Sequence, residues 1–106
     1  MEYRFEHENL DVYRLALEVS RACKALRVPP GRSHLRDQLL RTADSTVLNI
    51  AEGRARTGDA GRNHYRIALG SAAEACAALD LVGSPEALAK QPKLRRVGAM
   101  LRGLTR

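Results

Sequence analysis

The stretch Gln38–Gly53, QLLRTADSTVLNIAEG, decides the architecture of this chain. With Leu35 in front of it, the apolar residues Leu39, Leu40, Ala43, Val47, Ile50 and Ala51 recur at steps of three and four, which is the period of one helix face turned toward a core. Gly53 reads as the stop signal of that helix. Asn49 and Glu52 lie within one turn of each other inside it. A second segment, Ile67–Glu74 (IALGSAAE), repeats the theme of small residues with one carboxylate on an otherwise apolar helix. Two such helices predict the centre of a bundle around which the rest of the chain wraps.

Working outward, the signals on both sides are also helical. Asn9 is a suitable N-cap, Asp11 suits the positive end of a helix dipole, and apolar residues from Leu10 to Leu26 cover more than half a helix circumference. This predicts a first helix over about residues 10–27, ended by Val28-Pro-Pro-Gly31 because proline supplies no backbone donor. Ser33 is read as the cap of the second helix, residues 33–53. Arg54–Gly61 (RARTGDAG) reads as a solvated loop with Thr57 or Asp59 as the next cap. An alanine-rich third helix spans 60–82 and stops at Gly83. Ser84-Pro85 is a start signal for a short turn, and Pro92 opens a last helix, 92–104, with Leu94, Val97, Leu101 and Leu104 on one face. Residues 1–8 form a lead-in expected to dock through the rings of Tyr3 and Phe5. No strand pattern competes, so the expected fold is all-α: residues 1–106 as one domain, an up-and-down antiparallel four-helix bundle.

Composition narrows the function classes. Aromatics make up only 4% of the chain and tryptophan is absent, so the core relies on Leu, Val, Ile and Ala. Such a core is thin, and self-association follows as an expectation. The formal charge is +6, and the last 17 residues hold six basic side chains and no acid, so residues 1–89 sum to zero. A neutral body with a cationic end attracts polyanions without specificity. Cys23 and Cys76 have no metal or redox spacing and suit a reducing compartment. The opening residues lack a signal-peptide core, and no segment has the apolar length to span a bilayer. The expected location is cytoplasmic, with no membrane partner.

Residues with possible chemistry are few. Glu52 and Glu74 are carboxylates on apolar faces, but a di-iron bundle needs Glu-x-x-His pairs, and here Ala55 and Ala77 stand at those spacings. Hydrogen bonds or ion pairs with Arg41, Asn49 or Ser71 are the alternative reading. His7, His34 and His64 are scattered, Ser45 and Ser71 lack a triad spacing, and no phosphate-binding glycine loop exists. The chain is expected to have no catalytic residue, no metal and no cofactor. Asp44 interrupts the apolar stripe, and pairing with Arg41 or Arg66 and placement at an oligomer surface both remain open. The cationic last helix has three readings: a solvated face, phosphate contact with nucleic acid, or membrane-surface binding, the last weakened because its leucines are needed in the core.

The run Gln38, Leu39, Arg41, Ala43, Ser45 and Asn49-Ile-Ala-Glu-Gly53, followed by Ile67-Ala-Leu-Gly-Ser71 with Glu74, and then Met100-Leu101 and Gly103-Leu104, resembles the four-helix bundle proteins encoded in 23S ribosomal RNA intervening sequences. Leu10-Asp11-Val12-Tyr13 is similar to the start of that family's first helix. The fold family also includes the accessory variability proteins of diversity-generating retroelements. The resemblance implies a bundle assembled as a homopentamer and no enzyme activity. For the retroelement relatives it implies a basic surface that meets nucleic acid and a reverse transcriptase. Asn49, Glu52, Gly53, Gly70, Ser71 and Glu74 carry over as motif positions of structural character. The chain departs from the family pattern at Leu40-Arg41, at Asp44 and Thr46-Val47-Leu48, and at His64, where a large aromatic is usual.

The combined expectation is a non-enzymatic homo-oligomer that binds RNA, DNA or a nucleic-acid enzyme through Lys93, Arg95, Arg96, Arg102, Arg106, Arg54 and Arg56. A protein-interaction scaffold with no nucleic-acid role is the rival reading.

Overall fold

The computed structural model describes residues 1–106. A 3₁₀ turn at Glu6–Asn9 precedes five α-helices: α1 Asp11–Lys24, α2 Ser33–Ala55, α3 Gly58–Val82, α4 Pro85–Leu88 and α5 Gln91–Leu104. The four long helices form an up-and-down antiparallel bundle in which each packs on two neighbours, in the cyclic order α1, α2, α3, α5. α4 is a single turn that hands the chain from α3 to α5. The molecule measures 45 × 33 × 21 Å, two helix diameters thick, so every long helix keeps an outer face. No helix is long and apolar enough to cross a membrane.

The core is built from the stripes that the sequence predicts, in two clusters. One gathers Cys23 and Leu26 of α1 and its end, Leu39 of α2, the alanines and Leu79 of α3, and Leu94 of α5. The other gathers Val12 and Ala16, Val47 and Ile50, Tyr65 and Ala68, and Val97 and Leu101. On α2 the polar residues Thr42 and Thr46 are buried in the same stripe. Each hydroxyl is satisfied one turn back, Thr46 by the Thr42 carbonyl at 2.8 Å and Thr42 by that of Gln38 at 2.9 Å. No buried side-chain nitrogen or oxygen lacks a hydrogen-bond partner, which keeps this mixed stripe inexpensive.

Several local expectations are corrected by tertiary contacts. α2 does not stop at Gly53 but continues to Ala55, and α3 begins at Gly58, so the expected loop shrinks to Arg56 and Thr57. Gly53 and Gly61 instead bring two backbones together. An added Cβ at Gly53 would lie 2.7 Å from the Tyr65 ring, and one at Gly61 would lie 2.8 Å from the Gly53 carbonyl oxygen. α1 ends at Lys24, three residues before the expected limit: the chain tightens through i to i−3 bonds from Ala25 N–H to the Ala22 carbonyl and from Leu26 N–H to that of Cys23, and the guanidinium of Arg36 caps the end by donating to the carbonyls of Leu26 at 2.7 Å and Lys24 at 2.8 Å. Leu10 rather than Asn9 occupies the N-cap of α1, and Arg32 rather than Ser33 that of α2. Ser84 does cap α4, accepting from Ala87 N–H at 3.1 Å. α5 starts at Gln91, whose buried amide donates to the Cys76 carbonyl at 3.0 Å and to Asp80 at 2.7 Å, pinning α5 to α3.

The lead-in does not dock by its rings. Tyr3 is 77% and Phe5 59% exposed. Glu6 ties the segment to Arg54 of α2 through an ion pair of 3.2 Å.

Candidate nucleic-acid interface

The seven expected cations divide between two places. On α5, Lys93 is ion-paired with Glu18 of α1, and Arg95 on the α3 flank donates to Gln91 at 3.2 Å. Arg96 lines a shallow cleft against α1 and has no ion-pair partner. Arg102 is exposed without a carboxylate partner. At the end where α2 meets α3, Arg54, Arg56 and Arg106 line one cleft of about 500 Å³ with Arg62 and Tyr65. There Arg54 is held by Glu6, and Arg56 by Glu52 at 2.8 Å. These pairs are exposed and therefore weak, so their arginines keep donors for a second anion. The seven residues thus form no single α5 face.

A further cationic group is missing from the sequence-based set. Between Glu18 and Asp37 stand Arg21, Lys24, Arg27, Arg32 and Arg36 with no acid among them. Arg36 is committed to capping α1, whereas the side chains of Arg21, Lys24, Arg27 and Arg32 are exposed and make no ion pair or hydrogen bond. They form a collar around the α1–α2 end of the bundle. The signal was an acid-free run of 18 residues. It vanishes in a sum over residues 1–89 because the +5 of the run is offset by −3 over residues 1–18 and −2 over residues 37–89.

The motif positions Asn49, Glu52, Gly53, Ser71 and Glu74 lie along the seam between α2 and α3, whereas Gly70 is exposed on the outer side of α3 with nothing within 4 Å of it. Gln38 donates to Glu74 at 3.2 Å and accepts from Arg41. Ser45 and Ser71 share a hydrogen bond of 2.8 Å. Asn49 donates to the Ser45 carbonyl at 2.9 Å and accepts from His64 Nδ1 at 3.0 Å. This ladder fixes the register of the two helices and occupies the small polar groups that the sequence singled out. Glu52 pairs with Arg56 and Glu74 with Gln38, and the two carboxylates sit at different levels of the seam. Gln38 and Glu52 are 14 residues apart on α2, about 21 Å at 1.5 Å per residue, so the carboxylates do not converge. No group of three or more His, Cys, Asp or Glu comes together anywhere. Asp44 pairs with neither Arg41 nor Arg66 and accepts instead from the buried Ser20 hydroxyl of α1 at 2.8 Å.

Three groups titrate away from their ordinary range. Burial pushes the Cys23 thiol up, opposed by the charge of Lys90. Burial also pushes the Tyr65 phenol up, against the pull of Arg54. The hydrogen bond and charge of Arg62 hold the exposed Asp59 carboxyl down, which keeps Arg62 engaged. All three directions describe packing and pairing rather than a reactive nucleophile.

The family model described as 23S rRNA-intervening sequence protein matches residues 8–101, and the chain belongs to that family. No curated protein matches it.

Proposed function

From that membership, and from cations left without carboxylate partners, we propose that the protein is a non-enzymatic, homo-oligomeric bundle that binds nucleic acid, or an enzyme acting on nucleic acid such as a reverse transcriptase, through its cationic surface. One observation carries the reading: Arg21, Lys24, Arg27 and Arg32 at one end, with Arg96 and Arg102 on α5 and Arg106 just beyond it, are exposed and face no acid within ion-pair distance. Only six of the 18 basic residues are neutralised by ion pairs. Such charges recognise phosphate and carry no base preference of their own.

Self-association draws support from the outer face of α2 and α3. Leu48 is 68%, Ile67 44% and Leu81 58% exposed, and Gly70 between the last two meets nothing within 4 Å. Large apolar side chains in this density on a thin bundle suit burial against further copies, in the ring of five that the resemblance implies. An oligomer repeats each weak phosphate contact and gains avidity without a new one.

The test is titration of labelled RNA and duplex DNA, comparing the wild-type chain with Arg21→Ala/Arg27→Ala/Arg32→Ala and Arg95→Ala/Arg96→Ala/Arg102→Ala variants. Weaker binding by both variants, with circular dichroism and oligomer size unchanged, is expected. Absence of binding even at low salt overturns the reading and favours the scaffold with no nucleic-acid role.

A further inference from the structure

The lead-in presents a feature that the phosphate contacts do not use. Tyr3, Phe5, His7 and Tyr13 form a ladder of rings: Tyr3 and Phe5 meet edge to face at 5.1 Å, Phe5 and His7 are stacked at 6.0 Å, and His7 meets Tyr13 at 4.6 Å. Tyr13 belongs to α1, so the ladder is anchored to the bundle at its inner end while its outer two rings stand in solvent. The backbone beneath them is fixed as well. Glu8 accepts from the Phe5 N–H at 2.8 Å and pairs with Arg4, and Glu6 pairs with Arg54. Exposed aromatic rings held in place by polar contacts, rather than buried, mark a surface that meets a partner.

The rings border a cleft of about 420 Å³ whose far wall is the C-terminal end of α2, with Arg54, Arg56 and Thr57. Those three residues also line the adjoining cleft that contains Arg106. Glu6 is the one carboxylate of the ring cleft, and Arg54 neutralises it. An aromatic face beside guanidinium groups, continuous with a second arginine cleft, matches a flattened apolar group attached to a phosphate chain.

We propose, building on the nucleic-acid reading above, that this end of the bundle takes single-stranded nucleic acid, with an unpaired base stacked on Tyr3 and Phe5 and its flanking phosphates on Arg54, Arg56 and Arg106. A duplex cannot satisfy the site, because its bases are already stacked on each other.

The chain has no tryptophan, so Tyr3→Trp introduces a unique fluorophore at the site. We expect its emission to be quenched by a 12-nucleotide single strand and unaffected by a duplex of equal length at matched salt. In anisotropy titrations, Tyr3→Ala/Phe5→Ala should weaken single-strand binding by about 10-fold or more and change duplex binding by less than about 2-fold. Unaltered helicity of that variant by circular dichroism separates the site from folding. Equal quenching by duplex and single strand, or no loss in the alanine variant, overturns the base site while leaving the phosphate reading intact. Quenching that rises with protein concentration alone overturns it in favour of a contact between copies. A mononucleotide as potent as the oligonucleotide would reassign the cleft to a small nucleotide. Failure of both strands to bind the wild-type chain at the lowest salt removes the base site and the phosphate reading together.

Discussion

Replacing Gly61 by alanine tests the tightest helix contact in the bundle. Gly61 lies in the first turn and a half of α3, and its missing Cβ is the gap through which the α2 and α3 backbones approach. A methyl group there would lie 2.8 Å from the Gly53 carbonyl oxygen and 2.9 Å from that of Arg56. Both neighbours are backbone atoms of the opposing segment, so neither moves aside by a rotamer change. Such overpacking costs about 1–3 kcal/mol. Two backbone oxygens inside 3.0 Å put Gly61 in the upper part of that range, about 2–3 kcal/mol, and alanine returns up to about 1 kcal/mol in helix propensity, which leaves a net loss of about 1–2 kcal/mol. At 4–8 °C per kcal/mol for a domain of this size, Tm should fall by about 5–15 °C. Gly70→Ala is the matched control. Nothing lies within 4 Å of its added Cβ, so it should gain about 0.5–1 kcal/mol from propensity alone. Thermal and urea unfolding at one fixed protein concentration reads both, since the proposed assembly would couple stability to concentration. A Gly61→Ala protein as stable as wild type would refute the close backbone approach at the α2–α3 turn.

Four further outcomes follow from the structure. Asp44→Ala strands the Ser20 hydroxyl, which can turn back only to its own helix, and should cost about 0.5–1 kcal/mol in urea unfolding; Asp44→Asn keeps an acceptor and should stay near wild type, so equal behaviour of the two variants would contradict the Ser20–Asp44 bond. Cys23 is fully buried and Cys76 only partly, so a thiol reagent at pH 8 should label Cys76 first and reach Cys23 only on unfolding. Because burial raises the Cys23 pKa, the folded chain holds that proton more tightly than the unfolded one. Its contribution is therefore complete below the unfolded value of about 9 and declines as pH rises beyond it, and Cys23→Ala should flatten the alkaline fall in unfolding free energy. Ile67→Glu and Leu81→Glu, on the outer face of α3, should dissociate the proposed oligomer in sedimentation equilibrium while leaving helicity intact; a wild-type chain that is monomeric at micromolar concentration would contradict self-association through that face.

The parts of the fold legible in the sequence are those set by local period and local chemistry. The apolar stripes of α2, α3 and α5 depend only on which residues recur at three and four. The Pro-Pro pair after α1, Gly83 and Ser84-Pro85 act within a few residues of themselves. What escaped depends on residues far apart in the chain. Gly53 carries the same local signature whether it ends a helix or lets one pass, and the choice rests on Gly61 and Tyr65 of the next helix. The end of α1 is capped by Arg36, 10 residues beyond the Leu26 carbonyl to which it donates. Asp44 looked unexplained because its partner, Ser20, is 24 residues away on another helix. Tyr3 and Phe5 are apolar and were expected inside, yet they satisfy one another in a ladder at the surface. The collar of Arg21, Lys24, Arg27 and Arg32 escaped for a different reason. Summed charge is blind to placement, and the acids that balance it lie in other elements.

The most direct test of the cationic surface is the salt dependence of RNA binding. Each phosphate contact releases condensed counterion, so the slope of log K against log salt counts the contacts made. With four collar cations, Arg96 and Arg102 free on α5 and Arg106 free beyond its end, engagement of four to seven phosphates per protomer predicts a slope of about −3 to −5 for single-stranded RNA at about 0.7 per phosphate. Fluorescence anisotropy of a labelled RNA from about 20 to 300 mM salt supplies the slope, and removing Arg21, Arg27 and Arg32 together should make it shallower by about 2. A slope near zero, or no binding at the lowest salt, contradicts a protein that works through its unpaired arginines.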